Sequence, residues 1–222
     1  MFVKKLRILS MNLGRSFVPV KDRKRKAYIA DFIKYEDYDV VMLQGTNICH
    51  NLDLNRFLGY YEIQRCYNFQ ERVVTLYKLW EGQTSYGKSD VMGHVFYNKK
   101  GPLACINVNC KDSKNFDDVF NICDHYSRQD SKGFVRNRIV AGRFPREVDI
   151  NEFCDRFDLT DVSTLVGQES HIKNNRDMLN HFFISRNLEI DSVHKLVGMT
   201  EKSGIGETYS IEASISYKKV LK

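Results

Sequence analysis

The residues best placed to do chemistry stand in Arg138-Ile-Val-Ala-Gly-Arg-Phe-Pro145. Ile139 to Ala141 reads as a short buried strand. Gly142 reads as a tight corner that delivers the next side chains to a sheet end, where sites are commonly built. It delivers Arg143, a fixed cation with no proton to give, and Pro145, which has neither an N–H nor a polar side chain. Hydrolytic chemistry calls for a carboxylate or an amide at such positions. Arginine instead matches the oxygens of a phosphate. Arg15, Lys21, Arg23 and Lys24 join Arg143 as candidates for holding an anion, although the run Lys21-Asp-Arg-Lys-Arg-Lys26 also reads as the solvated first turns of a helix. A rival reading pairs Arg143 with Glu207 or Asp149 and closes the cleft. The side chains available for proton transfer elsewhere are His94, His125, His171, His181, Asp90 and Glu207, each of which also reads as an ordinary surface or strand residue.

The chain that must position these groups has 222 residues, of which 42% are hydrophobic. That suffices for a proper core, and no Pro/Gly/Ser-rich or charged linker divides it, so one domain over residues 1–222 is expected. The net charge of +6 permits an acidic partner without demanding one. The six cysteines make no CxxC pair and no Cys/His metal spacing. No apolar run approaches the ~20 residues of a membrane span, and the N-terminus lacks a signal-peptide core. These features predict reduced thiols and a cytoplasmic or nuclear protein. Plentiful Tyr, Phe, Lys, Asn and Asp beside scarce Ala and Pro match an AT-rich genome, such as that of a large DNA virus or a parasite.

Residues 3–12 alternate apolar and polar and predict a strand, 22–36 a helix, and 39–44 a strand buried on both faces. This strand–helix–strand opening favours a parallel pair. A short helix follows at 52–58, then strands at 60–66, 72–79, 91–97 and 103–109, read as antiparallel. The stretches 83–89 and 170–179 read as polar loops. Helices at 115–126 and 149–157 flank the Arg138 strand. Strands at 180–185, 188–194 and 209–220 end the chain. The fold class is α+β, with two mixed sheets packed face to face and helices outside.

The order of these segments resembles the endonuclease/exonuclease/phosphatase superfamily, the DNase-I-like fold, a four-layer α/β/β/α sandwich. The resemblance runs from about Leu6 to Tyr217 and rests on several short segments. Arg7-Ile-Leu-Ser-Met-Asn12 looks like the family's first strand, and Asn12 matches its Asn near the metal and phosphate. Asp39-Val-Val-Met-Leu-Gln44 looks like the second, with Gly45 where the family's magnesium-binding Glu stands and Thr46 retained. Cys105-Ile-Asn-Val-Asn109 places Asn109 where many members have a His or Tyr facing the phosphate. Ile139 to Pro145 is similar to the family's Gly-Asp-Phe-Asn, with Arg143 and Pro145 replacing the Asp and Asn. Asn180-His-Phe-Phe-Ile-Ser185 is similar to a strand that opens with Asp; Asn180 takes that place and His181 lies beside the pocket. Gly206-Glu-Thr208 aligns with Ser-Asp-His, so that Thr208 replaces the general His and Glu207 is the remaining acid.

The resemblance therefore implies a vestigial pocket of Asn12, Gly45, Asn109, Arg143, Pro145, Asn180, His181, Glu207 and Thr208. A hard cation needs carboxylate oxygens, which Gly45 does not supply. At an effective dielectric of ~20, two like charges ~4 Å apart cost about 4 kcal/mol, and a divalent ion beside Arg143 doubles that. The expectation is a pseudoenzyme with no metal or cofactor, kept as a binding or structural module for a protein partner or an assembly, a viral one included. The alternatives are a divergent metal-dependent phosphodiesterase or nuclease using Glu207, Asn12 and His181, and a binder of phosphate or nucleic acid without catalysis.

Overall fold

In β1 (Leu6–Asn12), apolar side chains point both ways: Leu6 and Ile8 enter one cluster, Leu9 and Met11 another. A strand with two dry faces needs a layer on each side, and so it belongs inside a sheet. The computed structural model puts it there, and describes residues 5–13, 22–45, 48, 52–65, 73–78, 83–88, 90–98, 101–110, 116–127, 129–130, 133–167, 180–196 and 210–218. β2 (Val40–Gln44) runs parallel to β1, with Ile8 opposite Val40 and Asn12 opposite Gln44. Between them in the chain, α1 (Asp22–Glu36) lays Ile29, Ala30 and Ile33 on the outer face, against Leu9, Val41 and Leu43. β3 (Glu62–Arg65) and β4 (Val73–Tyr77) extend this sheet beyond β2, both antiparallel to their neighbours.

The second sheet starts with β5 (Gln83–Lys88), β6 (Val91–Asn98) and β7 (Gly101–Asn109), paired in antiparallel fashion. The stretch read as a loop at 83–89 is therefore an edge strand. Its polar run, Gln-Thr-Ser-Tyr, is what an edge tolerates and what apolar periodicity misses. The four strands read as one antiparallel run divide between two sheets, β3 and β4 in the first, β6 and β7 in the second. β10 (Asn137–Arg143) adds parallel to β7, and β12 (Asn180–Ser185) antiparallel to β10, with the short β11 (Leu159–Asp161) at the edge. β8 (Gln129–Asp130) and β9 (Gly133–Phe134) form a separate ribbon. β13 (Leu188–Lys195) and β14 (Ile211–Tyr217) complete the first sheet, giving the orders β13-β14-β1-β2-β4-β3 and β11-β12-β10-β7-β6-β5.

The helices α2 (Phe116–Ser127) and α3 (Ile150–Phe157) cover the outer face of the second sheet, burying Val119, Cys123, Phe153 and Phe157 against Ile106, Val108 and Phe183. Asp149 caps α3 by accepting from Asn151 N at 2.9 Å and Glu152 N at 3.1 Å, and Asp158 ends it in a left-handed conformation. The inner faces of the two sheets meet in a third cluster, with Ile8, Val40 and Met42 against Leu103, Ile139 and Phe182. The result is the expected four-layer α/β/β/α sandwich. Among the described residues, no helix is long and apolar enough to cross a membrane.

Candidate functional site

The inner faces change character along the strands. Leu6, Ile8, Val40, Cys105 and Ile139 are apolar; further on, the same faces carry Ser10, Asn12, Gln44, Asn107 and Asn109, all buried. Strand alternation makes this a single polar end between the sheets, at the C-terminal ends of the parallel strands β1, β2, β7 and β10. Arg143 belongs to it. It follows Ile139 and Ala141 of the inner cluster by two-residue steps and lies half-buried beside Asn109 on β7 and Asn180 on β12. Asn12 and Gln44 face this row from the first sheet. Across the gap, Asn109 Nδ2 donates to the Gly45 carbonyl at 3.3 Å.

Under this row lies a buried network that no site motif marks. Gln44 Nε2 donates to Asn107 Oδ1 at 2.8 Å, to Ser10 Oγ at 3.1 Å and to the Met42 carbonyl at 3.0 Å. Asn107 Nδ2 reaches the carbonyls of Leu43 and Val74 at 3.2 and 3.0 Å and Thr75 Oγ1 at 3.3 Å. The signal was present in the sequence: Ser10 and Asn12, Met42 and Gln44, Asn107 and Asn109 stand two apart near the ends of apolar strands, which directs polar atoms to one face at one level.

Gly142 is a strand position and not the corner expected: β10 pairs on both sides through Gly142 to Arg143, and Gly142 has a φ of 133°. A Cβ there would lie 1.9 Å from the Val108 carbonyl oxygen of β7. Only glycine fits where a positive φ turns the Cβ position onto β7, and the strand pairs on from there to set Arg143 at the level of Asn109. Gly45 also has a positive φ, 145°, which disfavours any side chain at the position where the resembling family has its Glu. Pro145 is buried just past the end of β10, its carbonyl accepting from Val148 N at 3.4 Å. Asp90, buried, precedes β6, and its carbonyl accepts from Asn109 N at 2.7 Å.

His181 does not lie in this cleft, contrary to the sequence reading. It stacks on Phe183 at 5.4 Å between ring centroids and meets Phe144 edge-on at 5.7 Å, both of the helix-facing cluster. Its Nδ1 bonds Asp161 Oδ2 at 2.8 Å, and Ser163 N also donates to Asp161 at 3.0 Å. The reason is parity: Asn180 faces inward, so the next residue on β12 faces outward. His94 lies buried in the inter-sheet core between Tyr77 and Phe96. His125 is on α2. Arg23 and Lys24 fall in the first turn of α1, with their side chains outside the described residues; Arg15, Lys21, Thr46, His171, Glu207 and Thr208 lie outside the described residues altogether.

The donor set fits an oxyanion. Among the described residues, it does not offer the carboxylate set that the magnesium ion of the resembling family needs. Amide side chains and a guanidinium present N–H groups, Gly45 brings no side-chain oxygen, and Arg143 is itself a cation. Among the described residues, no three His, Cys, Asp or Glu side chains group as metal ligands.

Compared as sequence, the chain matches no family model and no curated protein. Compared as structure, it is similar to an endonuclease/exonuclease/phosphatase from Bacteroides vulgatus, with a TM-score of 0.70 and 12% identity over 97% of this chain and 100% of that one. It is also similar to TDP2 of D. rerio complexed with a single-strand DNA product, with a TM-score of 0.66 and 12% identity over 96% and 99%. The human Nocturnin catalytic domain with bound sulfate gives 0.66 and 13% over 96% and 94%. Two mixed sheets under flanking helices, with a polar cleft at the strand ends, define the class: the chain has the DNase-I-like fold of the endonuclease/exonuclease/phosphatase proteins.

The expectation of a pseudoenzyme does not stand. The same fold forms a catalytic domain in Nocturnin and carries a DNA product in TDP2. Chemistry belongs to the whole constellation at a site, so replacements at 45, 143, 145 and 180 do not by themselves define an inactive protein.

Proposed function

We propose that the cleft between the two sheets binds the phosphodiester backbone of a nucleic acid, with Arg143 and the amides of Asn12, Asn109 and Asn180 around one phosphate. The observation that carries this reading is the convergence of Arg143 with Asn109 and Asn180, neighbours in register on β7, β10 and β12, opposite Asn12 on β1. Arginine presents five donors in a fixed fork that match phosphate oxygens, and an amide turned about its last bond presents its N–H group in place of its oxygen. The chain's net charge of +6 favours approach of a polyanion. One protein of the same fold holds a single-strand DNA product, and another a sulfate anion.

The test is fluorescence anisotropy with a labelled single-stranded oligonucleotide at several salt concentrations. Arg143→Ala should weaken binding by ~10-fold or more and lower the magnitude of the log–log salt slope by about 1, as loss of one phosphate contact requires. Binding that ignores both salt and Arg143→Ala would sink the proposal. A parallel incubation of the same oligonucleotide with Mg²⁺ and with Mn²⁺ reads turnover directly. Cleavage that disappears in Asn12→Ala makes the cleft a phosphodiesterase site.

A further inference from the structure

A concentration of arginines lies on the opposite face of the second sheet, at the other end of β10. There the end of α2, the start of β10 and the end of α3 line an open pocket of about 340 Å³, near the lower end of the range for small-ligand pockets. Its wall includes Arg136, Arg138, Arg156, Asp124 and Asp158. The two acids are engaged: Asp124 accepts from Arg156 Nη2 at 3.1 Å, and Asp158 pairs with Arg186 Nε at 3.2 Å. Arg156 also lies over the Phe120 ring at 4.7 Å, which fixes its guanidinium.

Arg138 is different. It is only 8% exposed, and among the described residues no carboxylate lies within ion-pair distance of it. Its Nη1 bonds Ser127 Oγ, its Nη2 donates to the Phe157 carbonyl at 2.6 Å, and its Nε has no hydrogen-bond partner. The Ser127 hydroxyl in turn donates to the Cys123 carbonyl at 2.7 Å, so it meets Arg138 with a lone pair. The carbonyl end of α3 supplies partial negative charge but no counter-ion. A guanidinium stays protonated even when burial lowers its pKa, as it does here, and a buried charge is ordinarily held by an opposite one. Arg136, exposed at the rim, likewise has no carboxylate at ion-pair distance among the described residues.

We infer that this pocket is a second anion site, taking a small oxyanion of the phosphate or carboxylate class, with Arg138 at its floor and Arg136 at its mouth. It is separate from the cleft: Arg138 and Arg143 stand at opposite ends of β10, and the alternation of the strand sends their side chains to opposite faces. A cavity of this volume takes a small ligand and not the groove-tracking length of a nucleic acid strand.

The experiment is a titration of the whole chain with inorganic phosphate and, separately, with malonate, followed by amide NMR. Arg138→Ala removes a buried side chain and risks misfolding, so the variant is Arg136→Ala, at an exposed position. The expected result is a saturable shift at the amides of Ser127, Phe157 and Asp158 with at least one of the two anions, weakened at least fivefold in Arg136→Ala. The anion that saturates at lower concentration identifies the ligand class. No saturable shift at these amides with either anion up to tens of millimolar overturns the inference. So does binding there with unchanged affinity in Arg136→Ala.

Discussion

His94 carries a titration that the fold suppresses. Its ring is fully buried between Tyr77 and Phe96, and neither ring nitrogen has a hydrogen-bond partner. Burial pushes its pKa down from 6.5 to about 4. The unfolded chain binds this proton near pH 6.5 and the folded chain only near 4, so the stability linked to His94 is complete above pH 6.5 and is lost as the pH falls towards 4. At about 1.36 kcal/mol per pH unit, the loss is roughly 3 kcal/mol. Urea unfolding at pH 7.5 and pH 4.5 should show it, and His94→Phe should remove that part of the pH dependence; an unchanged dependence in His94→Phe would contradict the burial account. Gly45 supplies a second prediction at this scale. Its φ of 145° makes a side chain there strained, so Gly45→Glu should cost roughly 1–3 kcal/mol, read as a lower denaturant midpoint. An unchanged midpoint would mean the backbone relaxes freely at this position.

Pairing between β7 and β10 decides what reaches the cleft from the second sheet. The pair is parallel and in register from Asn137 opposite Leu103 to Arg143 opposite Asn109. At Gly142 in this pair, a Cβ would meet the Val108 carbonyl oxygen at 1.9 Å. That neighbour is backbone inside a sheet and cannot swing aside. Gly142→Ala should therefore destabilise by roughly 3 kcal/mol or more, or yield insoluble protein, measured by thermal unfolding of the soluble fraction. A stable Gly142→Ala that binds oligonucleotide normally would show that the glycine is not what sets Arg143. Gly93 on β6 serves a similar end for α2: the Tyr126 ring occupies the space a Cβ would take, and its hydroxyl donates to the Gly93 carbonyl at 2.7 Å.

The whole molecule is two sheets held by an apolar layer that ends in a polar one. Asn107 of the second sheet donates to the Leu43 and Val74 carbonyls and to Thr75 of the first, and accepts from Gln44. Exposed ion pairs such as Arg56 with Asp31 are worth ~0–1 kcal/mol. Removal of a fully buried amide with this many partners strands carbonyls and leaves a void. Asn107→Ala should cost about 2–4 kcal/mol, seen as a lower urea midpoint with an unchanged slope. A cost near that of a surface pair would mean the apolar layer alone holds the sheets in register.

Much of the fold could be read locally. The two dry faces of β2 and the helices at 22–36 and 149–157 follow from patterns a few residues long, because side-chain direction repeats every two residues in a strand and every 3.6 in a helix. The same parity, applied one residue at a time, separates Asn180 from His181, so the outward turn of His181 was also present in the sequence. Long-range pairing decided the rest. It divided β3 and β4 from β6 and β7, added polar β5 as an edge, and brought Asn12, Asn109, Arg143 and Asn180 to one level. It also gathered Arg136, Arg138 and Arg156 from a strand and a helix into one pocket. These meetings depend on which backbones hydrogen-bond to one another and at what offset, a choice made by the collective burial of three apolar layers and carried by no single stretch of the chain.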